Sequence, residues 1–177
     1  VEDPVEYQLN LINQVQANDT IGLTFARVLR AILRQDPDVI MVGEIRDADT
    51  AHVAIQAALT GHMVLSTLHT NDCPSTLTRL SDMGIQNYLV ASALNGVVAQ
   101  RLARTICPSC KTTYYPQPAV LAQAGLEGTN IKSFKRGEGC RQCHESGFRG
   151  RRGIYEVMEI DDQIRGLIHG HAAEQEI

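Results

Sequence analysis

Apolar runs separated by polar turns divide the first hundred residues into alternating predicted helices and strands. Apolar residues recur at helical spacing from Ile21 to Leu33, after the N-cap residues Asp19 and Thr20. The dipeptide at 36–37, Asp-Pro, ends this helix because the residue before a proline is disfavoured in the helical conformation. The pattern therefore predicts a helix followed directly by the apolar run VIMV at 39–42.

The runs at 39–42 and 63–68 predict two strands, and their continuous apolar character favours burial on both faces of a sheet. Further helices are predicted over 47–59, 74–83 and 88–99, with Gly61 and Gly84 as stops. Helices that alternate with strands in this way indicate an α/β domain with a largely parallel sheet.

The composition of the sequence changes after Arg104, where cysteine, glycine and proline become frequent and the hydrophobic periodicity weakens. The run GIYEVMEI at 153–160 alternates as a strand does, and Asp161 and Asp162 can cap a last short helix. These changes predict three parts, a core over 1–104, a cysteine-containing subdomain over 105–150 and a C-terminal strand-helix segment over 151–177.

Composition places the chain among soluble globular proteins. It has 177 residues, 44% of them hydrophobic, and no apolar run approaches the roughly 20 residues of a membrane span. The opening VEDPVEY lacks the basic and apolar regions of a signal peptide. The net charge of −4 is unevenly distributed, since residues 101–152 hold ten Lys or Arg and three Glu, whereas the remainder holds six basic and seventeen acidic residues. This asymmetry indicates two surfaces of different character.

Glu44 is the first candidate for chemistry. It follows Gly43 at the end of the strand IMV, and an unpaired carboxylate is costly to bury in a sheet. Ligands of α/β proteins bind at the carboxyl ends of the strands, so Glu44 is placed to meet one. The alternative is an acid that interacts with the dipole of the following helix.

Four cysteines form two C-x2-C pairs, CPSC and CRQC, separated by 29 residues. Two such pairs can present four thiolates tetrahedrally, which predicts a structural zinc site because no coordination position stays open. The alternatives are two disulfides, four unrelated thiols, or His144 in place of one cysteine. Cys73 stands apart from both pairs and is predicted to be an inert buried residue. The predicted metal ligands are Cys107, Cys110, Cys140 and Cys143.

Several longer stretches together resemble one family. VEDPVEY, RAILRQDPDVIMVGEIRDADTA, ALTGHMVLSTLHTND, RLARTICPSC and GFRGRRGIYEVMEI are similar to the secretion ATPases of type II secretion and type IV pilus assembly, the GspE and PilB kind. The resemblance runs from residue 1 to about 169. It implies an α/β fold, a partial RecA-like P-loop NTPase core that lacks the Walker A unit, with a tetracysteine zinc-binding subdomain.

The resemblance also implies roles for individual residues. Glu2 and Asp3 belong to an aspartate box, Glu44 ends a Walker B strand, and His62 and His69 belong to a histidine box. In this reading Glu44 holds a magnesium-bound water, Glu2 orients the attacking water, and the two acids could exchange these tasks. The implied cofactors are ATP, Mg²⁺ and Zn²⁺. The implied catalytic residues are Glu2, Glu44 and His69, and those near the nucleotide are Asp3, Arg30, Arg34 and His62, with Arg27 on the same helix.

The implied function is ATP hydrolysis that drives protein secretion or assembly of a pilus or pseudopilus. Such a motor is a homo-hexamer in the cytoplasm, peripheral to the inner membrane, with inner-membrane platform proteins as partners. The tetracysteine favours the assembly or secretion branch over the retraction branch. A Walker A loop needs a Gly-Lys pair, and none occurs here. The chain is therefore expected to be a fragment that hydrolyses ATP poorly by itself.

The basic segment leaves two alternatives open. One is a zinc-ribbon module that binds nucleic acid, which the scarcity of aromatic residues in the segment and its lack of a recognition-helix pattern disfavour. The other, compatible with the motor, is a docking surface for an inner-membrane partner or for acidic lipid.

Overall fold

A computed structural model describes residues 1–130 and 133–177, so Lys132, one of the ten basic residues of the 101–152 segment, lies outside the described residues. The chain forms two compact units. Unit 1 contains Val1–Ala99 and Glu156–Ile177, and unit 2 contains Gln100–Tyr155. The boundaries drawn from sequence, after residues 104 and 150, stay a prediction.

Helices and strands alternate through the first part of unit 1, as the sequence pattern predicts. Short 3-10 turns lie at 19–21, 33–35, 108–110 and 141–143. None of the helices in the described ranges has the length and apolar character that crossing a membrane requires. In chain order the elements are α1 Phe25–Ile32, β1 Val39–Val42, α2 Ala48–Leu59, β2 Met63–Ser66, α3 Cys73–Asp82, α4 Asn87–Ala93, β3 Gly96–Ile106, β4 Lys111–Tyr114, α5 Pro118–Gln123, β5 Phe134–Gly137, β6 Phe148–Glu159 and α6 Asp162–His169.

β1 and β2 are parallel and in register from Val39 opposite Met63 to Val42 opposite Ser66. The backbone of Val1 extends this pairing, since its nitrogen donates to the Met41 carbonyl at 2.6 Å and its carbonyl accepts from the Gly43 N–H at 2.7 Å. Glu2 in turn forms a parallel bridge with Gln16. Four extended segments therefore lie side by side in the order 15–17, 1–2, β1 and β2.

The core of unit 1 collects the inward side chains of β1 and the apolar faces of the helices. Leu29 of α1 and Val42 of β1 have no exposed surface, and residues of α2, α3, α4 and α6 pack in the same cluster. Burial of this area supplies most of the stability of such a domain, at roughly 25 cal/mol per Å² of apolar surface.

The expectation that both strands are buried on both faces is wrong for this chain. Val39 and Met41 are 59% and 54% exposed, and their register partners Met63 and Leu65 are exposed as well. Successive side chains of a strand point to opposite faces, so Ile40 and Val42 enter the core while their neighbours point away from it.

The predicted helix over 88–99 is also wrong beyond Ala93. Leu94 has extended backbone angles, φ −82° and ψ 129°, and β3 begins at Gly96. Glycine and the two following valines disfavour helix and favour strand, and this local preference ends the helix. The predicted strand at 153–160 is confirmed as the second half of β6, which is hydrogen-bonded to β3. β4 and β5, which were not predicted, form an antiparallel pair.

Asp47 gives a test of how β1 is joined to α2. One carboxylate oxygen accepts from the Thr50 N–H and the other from the Thr50 hydroxyl, both at 2.8 Å, and Thr50 is buried. Asp47→Ala leaves both donors without these acceptors and should lower the free energy of unfolding by about 1–2 kcal/mol. Asp47→Asn keeps an acceptor at the cap and should cost only a few tenths of a kcal/mol. Urea denaturation followed by circular dichroism measures both, and an alanine variant as stable as the asparagine variant would contradict the assignment.

Candidate functional site

Glu44 lies where the sequence predicted it, directly beyond the carboxyl end of β1. Gly43 precedes it and is crowded by the 1–2 segment, since a Cβ at Gly43 would lie 3.1 Å from the Val1 carbonyl oxygen and 3.8 Å from the Glu2 Cγ. Any side chain at position 43 would come into steric conflict with the 1–2 segment. Glycine therefore permits the close approach that brings the Glu2 side chain next to the residue before Glu44.

Both oxygens of the Glu44 carboxylate have partners. Arg46 Nη2 lies 2.5 Å from Oε1, and His69 Nε2 lies 3.2 Å from Oε2. The side chain of Glu44 is only 15% exposed, whereas that of Arg46 is 62% exposed. The hydrogen bond from Arg46 holds the pKa of Glu44 below its ordinary value, and His69 adds to this against the opposing effect of burial. Glu44 is thus an ionised carboxylate in a fixed position.

Glu2 is held by a different partner. Its Oε2 accepts a hydrogen bond of 2.8 Å from the side-chain amide of Gln14, which also donates to the Tyr7 carbonyl. The backbone of Glu2 bonds to Val15 and Ala17 at 3.1 and 2.9 Å. Strand pairing fixes the main chain and Gln14 orients the carboxylate, so Glu2 and Glu44 share one edge of the sheet.

The two predicted histidines lie at opposite ends of β2. His69 follows the carboxyl end and reaches Glu44, because β1 and β2 are parallel and in register. His62 precedes the amino end, where its Nδ1 lies 3.2 Å from the Thr60 hydroxyl and 3.1 Å from the Ala57 carbonyl at the end of α2. His69 therefore lies at the sheet edge that carries Glu44, here called the acidic edge, whereas His62 lies at the opposite end of β2.

The remaining predicted residues also belong to unit 1. Asp3 lines a cavity of about 290 Å³ together with Asp19, Arg46 and Asp49. Arg30 lies across from Asp49, with Nη2 3.7 Å from Oδ2, and Arg27 donates to the Gly22 carbonyl at 3.2 Å. Arg34 lies on the 3-10 turn after α1 and is exposed. The roles predicted for these residues stay predictions.

The sequence did not indicate two side chains that contact the acidic residues. They are Arg46, which contacts Glu44, and Gln14, which contacts Glu2. Arg46 lies only two residues after Glu44, so the turn that follows β1 is a local signal that could have indicated it. Gln14 is twelve residues from Glu2, and nothing in the spacing indicates that the chain folds back there.

The four cysteines of unit 2 converge. All four sulfurs lie within 4.8 Å of one another. The separation is 3.9 Å between Cys107 and Cys140, 3.9 Å between Cys110 and Cys143, and 3.7 Å between Cys140 and Cys143. A tetrahedral zinc ion with zinc–sulfur bonds of about 2.3 Å separates its sulfurs by about 3.8 Å, so the donor set fits this ion. None of these cysteines forms a disulfide in this structure, and the separations between their sulfurs are well beyond the roughly 2.05 Å of a sulfur–sulfur bond.

The surroundings of the cluster act in opposite directions on two of its sulfurs, since burial raises the pKa of Cys110 to about 12, whereas the backbone favours the thiolate at Cys143. Burial raises the pKa of Cys143, but hydrogen bonds to its sulfur from the N–H groups of Cys140 and Gly147, at 3.2 and 3.3 Å, outweigh burial and lower the pKa to about 6. Gly147, at φ +73°, packs directly on Gly137, where a Cβ would overlap the Gly147 carbonyl. These two glycines allow the two ends of the loop that carries Cys140 and Cys143 to approach each other.

The fold and the site together define an α/β protein with acidic residues at the carboxyl edge of parallel strands. The family model for the Type II/IV secretion system protein matches residues 1–177, and the chain belongs to this family. The resemblance found in the sequence is thereby confirmed.

Relatives named as secretion and pilus proteins cover the chain almost completely. It is 54% identical over 177 residues to the type II secretion system protein E of Pseudomonas aeruginosa, a match that spans 100% of this chain and 35% of that protein. It is 51% identical over 170 residues to the type IV pilus assembly ATPase PilB of Thermus thermophilus, spanning 95% and 19% respectively. The chain therefore spans about a third or less of the length of these relatives.

Solved structures support the fold. The crystal structure of the pilus retraction motor PilT with bound ADP superposes with a TM-score of 0.67 at 30% identity, covering 99% of this chain and 42% of that chain. The Legionella pneumophila ATPase DotB superposes with a TM-score of 0.56 at 24% identity, covering 86% and 32%. The α/β fold of these ATPases is thus the fold of this chain.

Proposed function

We propose that these 177 residues carry the acidic half of an ATP-hydrolysing site in a motor for type II secretion or type IV pilus assembly. The observation that supports it is the position of Glu2 beside Gly43, which places two carboxylates at one sheet edge with His69 on Glu44. In the proposal the chain is part of a RecA-like P-loop core. The longer relatives leave room for the phosphate-binding loop, which needs a Gly-Lys pair that these residues lack.

Each acidic residue has a task that its surroundings suit. Mg²⁺ bound with ATP would supply positive charge that offsets the negative charge of the phosphates. Glu44, ionised and nearly enclosed, is suited to hold a water of the hydrated metal ion. Glu2, oriented by Gln14, is suited to accept the proton of the attacking water. His69 links Glu44 to the loop that follows β2 and orients the carboxylate.

The assembled protein acts, in this proposal, as a homo-hexamer in the cytoplasm at the inner membrane. Relatives named as type II secretion proteins and pilus assembly ATPases support this role. Arg27, Arg30 and Arg34 then lie near the nucleotide or a neighbouring subunit.

We propose further that Cys107, Cys110, Cys140 and Cys143 hold a structural zinc ion. The sulfur separations support this, and so does the scarcity of other packing in unit 2. Among the described apolar residues of unit 2, only Cys107 and Cys143 are buried. A unit of this size without a hydrophobic core needs another source of stability, and metal binding supplies folding free energy directly.

The third part of the proposal concerns five exposed arginines on β3 and β6 within unit 2, here called the arginine ribbon: Arg101, Arg104, Arg149, Arg151 and Arg152. The Arg104 guanidinium lies 4.0 Å from the centre of the Phe148 ring. In the described part of the chain, no acidic side chain pairs with Arg149, Arg151 or Arg152. We propose that this ribbon docks on an inner-membrane partner or on acidic lipid.

Glu44→Gln in the full-length protein tests the catalytic proposal. The amide keeps the shape of the side chain but loses the negative charge that holds the hydrated metal. ATP turnover should fall by about 10²-fold or more, while ATP binding changes only a few-fold. Phosphate release and binding of a fluorescent ATP analogue measure the two effects. Glu127→Gln makes the same change at an exposed position of unit 2 and should leave both unchanged. Normal turnover by the Glu44 variant would refute the assignment.

Zinc content and chelation test the cluster. The purified protein should contain about one zinc ion per chain, and removal of the ion should unfold unit 2 and leave the core of unit 1 folded. Cys107→Ser should lose the ion, whereas Cys73→Ser should keep it, because Cys73 lies buried in unit 1 and donates to the carbonyls of Val97 and Glu156. Elemental analysis and hydrogen exchange give the readouts. A protein without stoichiometric zinc, or one whose unit 2 is protected after chelation, would count against the cluster.

Charge reversal tests the arginine ribbon. Replacement of Arg149, Arg151 and Arg152 by Glu in the full-length protein should reduce sedimentation with vesicles of acidic lipid, or recruitment by its inner-membrane partner, about 10²-fold or more, at roughly 1 kcal/mol per arginine. A matched triple reversal at Lys111, Lys135 and Arg141, which are exposed in the same unit, should reduce recruitment far less. Equal losses would indicate a response to net charge alone, and unchanged recruitment would remove the ribbon from docking.

A further inference from the structure

Arg46 is a part of the site that the proposed function leaves without a task. Its guanidinium lies 2.5 Å from Glu44 Oε1, while His69 lies on the other oxygen. The Glu44 carboxylate and the Arg46 guanidinium together carry no net charge, and each carboxylate oxygen already has one partner. A hydrated divalent cation therefore meets a neutral pair at Glu44 rather than a free anion.

The two partners differ in freedom. Glu44 is 15% exposed and is fixed by the close packing at Gly43, whereas Arg46 is 62% exposed on the turn that follows. When the pair separates, the arginine is the partner that moves. A long side chain on the surface changes rotamer quickly and at little cost.

Arg46 also has a second acidic neighbourhood. It lines the cavity of about 290 Å³ together with Asp3, Asp19, Asp47 and Asp49. After Glu44, the carboxylates of Asp3 and Asp19 are the groups that raise the pKa of Arg46. The guanidinium thus lies between Glu44 and the acidic residues of the cavity. If it moves away from Glu44, it still has carboxylates beside it.

We propose that Arg46 is a removable counter-ion of Glu44. It neutralises Glu44 while the site holds no metal, and it turns to Asp3 and Asp19 when hydrated Mg²⁺ takes its place. This inference rests on the proposed function and makes Arg46 a positioning residue that keeps metal affinity low. Because Arg46 and Mg²⁺ would compete for the Glu44 carboxylate, the contact with Arg46 weakens the binding of Mg²⁺ by the same factor by which Mg²⁺ weakens that contact.

Metal binding to the full-length protein with a non-hydrolysable ATP analogue tests this, with Mn²⁺ as the probe and its free concentration read by electron paramagnetic resonance. Arg46→Gln should lower the dissociation constant for Mn²⁺ about tenfold, in the range usual for coupling between two ligands. Arg46→Lys keeps the charge and should stay near the wild type. Arg79→Gln removes an exposed arginine from α3 and should also leave the constant unchanged.

The outcomes are distinguishable. Unchanged or weaker Mn²⁺ binding by Arg46→Gln overturns the inference, as does a lysine variant that behaves like the glutamine variant. Loss of analogue binding in the absence of metal would make Arg46 a phosphate ligand and overturns it too. A wild-type protein that binds neither analogue nor metal refutes the proposed function itself. Unchanged melting temperatures of the variants exclude a merely structural effect.

Discussion

The in-register parallel pairing of β1 with β2, and of β1 with the 1–2 segment, is the constraint on which the acidic edge depends. Parallel strands end at the same edge of a sheet, so residues that follow each strand meet there although they are distant along the chain. Glu44 meets His69 across 25 positions, and Gly43 lies against Glu2. The close approach at Gly43 sets how near the two acids can come. Backbone geometry, more than side-chain attraction, assembles this edge.

Electrostatics then decides how the assembled edge behaves. A carboxylate that is nearly enclosed needs a partner, and Glu44 has two of different strength. The arginine is permanently charged, whereas the charge of a histidine depends on pH. Glu2 is oriented by a neutral amide instead. The two acids therefore differ in environment although they are chemically alike, which is the condition for two carboxylates to carry out different tasks in one site.

The sequence predicted the features that depend on local pattern. The strand before Glu44, the helices that follow each strand and the spacing within each C-x2-C pair are local patterns. The structure has these elements and brings the two cysteine pairs together. It could not predict contacts set by chain reversal, such as Gln14 on Glu2, because many loops are compatible with the same residues. The exposure of Val39 and Met41 was missed for another reason, since an apolar run reports what a strand can bury and not what packs on it.

The tetracysteine cluster lies in unit 2 where β3 ends and β6 begins. β3 ends at Ile106, directly before Cys107, and β6 begins at Phe148, directly after Gly147. The Cys107 N–H donates to the Gly147 carbonyl at 2.9 Å, so the two strand ends are already joined by backbone. An ion held by four sulfurs at this point would fasten the strands that carry the arginine ribbon. Because unit 2 buries few apolar residues, the spacing of those arginines would depend on the metal and not on a core.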